Sequence, residues 1–211
     1  MTVLDMAAIK RCEVVLEIPF AVADTDYRLR PVTLFPETRL EEDAQSFITW
    51  RRSAPDAFFE AFSPTLAQSI AWNRTVYAVD NQQINMIAER GDGKACGFIG
   101  LSRINHQSGT CELGRVLKNP DHRERGMMGA VIDALSGWAL GPLGMRCIEL
   151  EVFADNSAAL NLYQDRGFSE IARHRRQPEG AGERLKWVRC GPGELADEMH
   201  RDVLEMIRTA K

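Results

Sequence analysis

Arg123-Glu124-Arg125-Gly126-Met127-Met128-Gly129 sets two guanidinium groups and two glycines just ahead of an apolar helical pattern through Val131, Ala134, Leu135 and Trp138. The spacing predicts a helix that begins near Gly126. Glycine inside a helix costs about 1 kcal/mol relative to alanine, so a junction glycine is the easier reading. The first turn of a helix carries positive partial charge and unpaired N–H groups, which normally attract Asp or Glu. Here Arg123 and Arg125 flank a single Glu124, and an external anion would resolve the conflict. Bare amides, a glycine that permits close approach and two forked guanidinium groups would cradle a pyrophosphate. The alternative is a solvated basic loop before an ordinary helix. Neither G-x-x-x-x-G-K-[ST] nor a strand-to-helix G-x-G-x-x-G is present, which excludes the other common phosphate loops.

A second group follows from Asp155 to Phe168. Met145 to Phe153 alternates apolar and acidic residues and predicts a half-buried strand. Asp155, Asn156 or Ser157 can cap the next helix, Ala159, Leu162 and Tyr163 recur at helical spacing, and Gly167 stops it. A cap and a core aromatic account for Asn156 and Tyr163 as well as a chemical role does.

The order R-x-x-G-x-M, strand, N-x-x-A-x-x-x-Y-x-x-x-G-F resembles the GNAT superfamily of N-acetyltransferases, over roughly residues 27 to 187. The likeness is to the branch with ribosomal-protein N-terminal acetyltransferases and amino-sugar acetyltransferases. Met128 stands at the last small position of the family's usual Q/R-x-x-G-x-G/A motif, where this branch often has R-G-x-G-Y-M; two differences from the branch remain, Glu124 at its glycine and Met127 at its aromatic. The resemblance implies an α/β (α+β) fold, a mixed and largely antiparallel central sheet flanked by helices, with acetyl-CoA as co-substrate. It also implies that the backbone of Arg123, Glu124, Arg125, Gly126, Met127, Met128 and Gly129 holds the CoA pyrophosphate. The strand ending at Val116 and Leu117 would pair with the pantetheine arm. Asn156 would contact that arm or position the acetyl end, with Ala159 beside the cofactor on the same helix. Tyr163 would lie near the thioester sulfur and protonate the leaving thiolate, a role open to a phenol of ordinary pKa about 10.

Attack on a thioester needs a neutral amine, so a base must accept a proton directly or through water. Glu112, in Thr110-Cys111-Glu112-Leu113-Gly114-Arg115, is the first choice because its strand leads toward the expected cofactor; Glu149 and Glu151 are reserves. A solvated strand carboxylate is the plain alternative for each. On the acceptor side, Trp50-Arg51-Arg52-Ser53 and the helix ending at Trp72 are similar to a W-R-N pattern of amino-sugar and small-amine acetyltransferases. Trp50, Arg51 and Trp72 are therefore the candidate substrate-binding residues, with helix packing the alternative for both tryptophans. The expected acceptor is the primary amine of a small molecule, amino sugars and sugar nucleotides included. The alternatives are a protein N-terminal acetyltransferase of the ribosomal-protein type and a non-catalytic acyl-CoA-binding protein.

The elements that must position these groups belong to a 211-residue chain with 45% hydrophobic residues, enough for one domain with a sizeable core. Net charge −4 at pH 7 argues against a nucleic-acid or anionic-membrane binder. Five scattered cysteines, Cys12, Cys96, Cys111, Cys147 and Cys190, read as reduced thiols in a cytoplasm, and the four histidines show no metal-ligand spacing. Asp5, Lys10, Arg11, Glu13 and Glu17 interrupt the N-terminal apolar residues, so neither a signal peptide nor a membrane span is expected.

Strands are predicted at 14–18, 27–33, 76–79, 85–88, 95–103 and 185–189, and short helices at 41–50 and 66–72, with turns at Asn81 and Gly91-Asp92-Gly93. The Arg-, Gly- and Pro-rich stretch from Arg173 to Arg184 reads as a mobile loop. After a hinge at Gly191-Pro192-Gly193, Leu195, Met199, Val203, Leu204 and Ile207 share one helical face. The organisation expected is an N-terminal extension, 1–26, packed on a domain at 27–190, and a C-terminal amphipathic helix, 191–211. That helix either docks on its own domain or pairs two copies into a homodimer.

Overall fold

A computed structural model describes residues 4–191 and 199–210. In chain order the elements are α1 (Met6–Lys10), β1 (Ile18–Val22), β2 (Thr25–Pro31), α2 (Glu37–Arg52), α3 (Leu66–Thr75), β3 (Ile84–Arg90), β4 (Ala95–Asn105) and β5 (Thr110–Lys118). Then come α4 (Met127–Leu140), β6 (Cys147–Phe153), α5 (Ser157–Asp165), β7 (Ser169–Glu179), β8 (Lys186–Arg189) and β9 (Arg201–Thr209). The strands form one sheet in the order β1-β2-β3-β4-β5-β6-β9-β7-β8. Every pairing is antiparallel except β5 with β6. This is the mixed, largely antiparallel sheet that the resemblance implied.

Two apolar layers cover the sheet, and the period-two alternation of its strands sorts residues between them. On one face Met127, Val131, Ile132, Leu135 and Trp138 of α4 pack in the same cluster as Met86, Ala88, Ile99, Leu113 and Ile148. On the other, Leu40 and Trp50 of α2 pack with Ile87, Phe98 and Leu117. Strand β3 is buried on both faces: Ile84, Met86, Ile87 and Ala88 are apolar, and the buried Asn85 and Glu89 are each held by polar partners. Met6 and Ile9 of α1 join the larger core, and β1 pairs with β2, so the boundary expected at residue 26 falls inside β2.

Several expected elements are corrected. Among the described residues the expected C-terminal amphipathic helix is a strand: Arg201–Thr209 is β9, inserted between β6 and β7 and paired with both. Val203, Leu204 and Met206 are buried, with Leu204 and Met206 in the larger core. A run of five residues such as Val203 to Ile207 satisfies helical and alternating periods alike, and the two open strand edges of β6 and β7 decide for the strand. Pairing of two copies, the alternative to docking for that helix, has no helix at Arg201–Thr209 to work through; Pro192, Gly193 and Leu195 lie outside the described residues. Arg173 to Glu179 is part of β7 and not a loop, because its backbone pairs with β9 up to Arg176 and with β8 from Arg176 to Glu179; the Arg176 side chain adds contacts to Glu151 and to the Trp187 carbonyl. Tyr77–Val79 is a single 3-10 turn in place of a strand, holding Tyr77 fully buried with its hydroxyl donating to the Val32 carbonyl. The first strand begins at Ile18, where the expected one ended.

Candidate active site

Gly126 caps α4 with φ 79°, a left-handed conformation that side chains seldom adopt, and open space surrounds the position a Cβ would take. No side chain caps the helix and its first turn contains no acid, so its leading N–H groups remain available. Arg123 and Arg125 are exposed and form no ion pair among the described residues. The start of α4 thus presents uncapped amides, an unobstructed glycine and two guanidinium groups without an ion pair. Met127 turns into the larger core, and Met128 lies partly buried beside Gly97, whose missing side chain leaves room for the Met128 sulfur. Gly129 is buried next to Arg166, which pairs with Asp133 at 2.9 Å.

Strands β5 and β6 pair only from Thr110 to Glu112 against Cys147 to Glu149. Past that point they part. An extra residue in β5, between the pairs Phe98–Leu117 and Gly100–Gly114, coincides with Arg115 at φ 55°, a bulge that bends the strand. The β5 edge carrying Val116 and Leu117 is thus left open toward β6, while the other β6 edge is taken by β9. Val116 packs on the larger core and Leu117 is buried in the smaller one.

Asn156 is the N-cap of α5: its side-chain oxygen accepts the Ala159 N–H at 3.2 Å. Ala159 and Tyr163 both pack in the larger core, and the Tyr163 ring meets Phe168 edge-on at 5.9 Å. Burial pushes the Tyr163 phenol up to about 12, so it keeps its proton.

Glu112 pairs with Arg103 at 2.7 Å and sits opposite Glu149 in the parallel register. Burial raises its pKa, Arg103 opposes that, and Glu151 and Glu149 add to it. Neighbouring β9 and β7 bring Glu205 and His174 beside Glu151, with ligand atoms of the three within 4.8 Å of one another. Arg176 already pairs with Glu151, and Arg189 with Glu205 at 3.0 Å, which makes this group an ion-pair network. No sequence spacing foretold it, because three strands contribute.

Between α2, α3 and the sheet lies a cavity of about 380 Å³, walled by Phe47, Arg51, Phe62, Trp72, Asn73, Asn85, Phe98 and Arg115 among others. Of the candidate substrate residues, Arg51 and Trp72 line this cavity. Trp50 does not line the cavity; it is 5% exposed and belongs to the smaller core. The sequence reading missed Arg115, Asn85 and Phe47. Phe47 lies four residues before Arg51 on α2, so helical spacing could have found it. Arg115 reaches the cavity only through the bulge.

Comparison with curated proteins gives no match. The spermidine N-acetyltransferase of Vibrio cholerae, in complex with CoA and spermine, is similar in fold. It has TM-score 0.66 and 19% identity, over 87% of this chain and 95% of that one. A chimera of that enzyme, SpeG, with hSSAT gives TM-score 0.62 and 17% identity, over 87% and 95%. At such identity these likenesses speak for the fold alone. The profile of the Acetyltransferase (GNAT) family matches residues 39–168, more than half of the chain. The chain belongs to the GNAT family and is an N-acetyltransferase that uses acetyl-CoA as co-substrate.

Proposed function

We propose that the chain transfers the acetyl group of acetyl-CoA to the primary amine of a small molecule. The observation that carries this reading is the cavity of about 380 Å³ with aromatic walls, a size and lining suited to a metabolite and not to an extended peptide. The structurally similar Vibrio cholerae enzyme, named for spermidine, gives the same class of acceptor some support. Amino sugars and sugar nucleotides fall within that class.

Under this reading the amides from Arg123 to Gly129 hold the pyrophosphate and the open edge at Val116 and Leu117 takes the pantetheine arm. Asn156 and Ala159 border the thioester. The acceptor nitrogen, as free amine, attacks the thioester carbon, and Glu112 receives a proton from it. Collapse of the tetrahedral adduct breaks the carbon–sulfur bond, and Tyr163 donates to the departing thiolate. Holding the two reactants together supplies part of the rate by itself.

The test follows thermal stability with acetyl-CoA and with adenosine diphosphate, in the parent and in the Arg123→Ala/Gly126→Glu double variant. Stabilisation larger for acetyl-CoA, and lost in the variant, is expected. Thiol release with a panel of small amines then identifies transfer. Binding without transfer to any amine would favour the acyl-CoA-binding alternative.

A further inference from the structure

Two arginines in the acceptor cavity form no close ion pair among the described residues, although the Glu60 carboxylate, which also lines the cavity, acts on Arg51 from farther away, as Glu112 and Asp80 do on Arg115. Arg51 donates to the backbone carbonyls of Phe62 and Glu60, at 3.0 and 2.8 Å, and lies over the Phe58 ring at 4.0 Å. Arg115 reaches only neutral amides, Asn85 and Gln83, each at 3.3 Å. Neither forms an ion pair among the described residues. Asp43, which also lines the cavity, is engaged by Arg30 through two hydrogen bonds of 2.7 and 2.8 Å. Glu60 is exposed and lies 3.7 Å from Lys186. Burial lowers the pKa of both cavity arginines.

A partly buried guanidinium without a hydrogen-bonded acidic partner is costly, and the cost falls when a ligand brings the charge into contact. We propose that the acceptor carries an anionic group, carboxylate or phosphate, which seats between Arg51 and Arg115 while its amine faces the thioester. This rests on the transfer reading above and narrows its substrate class. A polyamine would place added positive charge against these arginines, so the cavity selects against it. In this respect the chain parts from the spermidine enzymes that share its fold. Arg51 and Arg115 are then specificity residues, and the forked guanidinium suits either anion.

The test has two arms. In the first, the protein saturated with CoA, so that the Gly126 cradle is filled, is titrated with inorganic phosphate and with acetate, following thermal stability. The parent and the variants Arg51→Gln, Arg115→Gln and Arg115→Lys are compared. Stabilisation by at least one anion in the parent, lost in both glutamine variants and partly kept in the lysine variant, is expected. No stabilisation by either anion overturns the inference, whatever the amine panel gives. In the second arm, thiol release is measured with spermidine, glucosamine, glucosamine 6-phosphate and a set of amino acids. The phosphate or the carboxylate acceptors should exceed the neutral amine at least about tenfold in kcat/KM, and Arg115→Gln should remove that advantage mainly through KM. Spermidine turned over as well as the anionic acceptors also overturns the inference. Anion binding with no thiol release from any amine would instead sink the transfer reading and leave the anion site standing.

Discussion

Glu89 tests whether the charge network under α2 holds the acceptor wall in place. Its side chain is 1% exposed and receives Arg28 and Arg30 at 2.5 Å each, together with Arg39. Arg30 also binds Asp43 of α2, so Glu89 and Arg30 join the sheet to the helix that carries Arg51. In Glu89→Gln the charge goes while the shape stays. Arg28 keeps Glu17 at 3.0 Å and Arg30 keeps Asp43, whereas Arg39 has no other acidic partner among the described residues. Removing one partner of a buried ion pair costs about 3–5 kcal/mol, and the retained partners place this case near 3. For a chain of this size that is a fall in Tm of about 6–12 °C.

The pH dependence supplies a second signature. Burial pushes the Glu89 pKa up, but hydrogen bonds from Arg30 and Arg28 more than reverse this, leaving it lowered. A lowered folded pKa stabilises above the unfolded value of about 4.3, and that stability is lost as pH falls through the folded pKa. The gap between parent and Glu89→Gln should therefore be full at pH 7 and narrow toward pH 3, by calorimetry or urea unfolding. Glu17→Gln is the control: it faces Arg28 with both side chains about half exposed, at 47% and 42%, and should cost less than about 1 kcal/mol. A Glu89→Gln protein as stable as the parent at pH 7, or a gap that does not move with pH, would refute the reasoning.

Glu112→Gln should lower kcat by about 10²-fold or more while acetyl-CoA still stabilises the protein, and should remove an acid limb of kcat/KM that lies above the ordinary glutamate range. Because Arg103 holds that pKa down, Arg103→Gln should move the limb to higher pH; unchanged turnover in Glu112→Gln removes the residue from the mechanism. Tyr163→Phe should slow the single-turnover step. With the phenol held near 12, the parent should show no basic limb from this group below about pH 11, and a variant as fast as the parent would reduce Tyr163 to packing.

The sequence by itself determined the elements whose signals are local. Gly126 before an apolar stripe, Asn156 ahead of Ala159 and Tyr163, and Gly167 at a helix end each state a backbone conformation or a cap that a few neighbours dictate. What depended on distant partners was not legible. Val203 to Ile207 fits a helix or a strand, and only the open edges of β6 and β7 decide. Lys10 counted in the sequence as a charge that interrupts an apolar stretch. In the fold it is fully buried, donating to the Tyr77 and Asp80 carbonyls, and burial lowers its pKa to about 8. Trp50 and Trp72 look alike as aromatics on helices, yet Trp50 is buried within the smaller core while Trp72 packs at its edge and lines the cavity. Arg115 reads as one more strand residue until the bulge turns it toward α2. Periods and caps are short-range properties of a chain, whereas burial, charge pairing and the shape of a cavity exist only once separate segments meet.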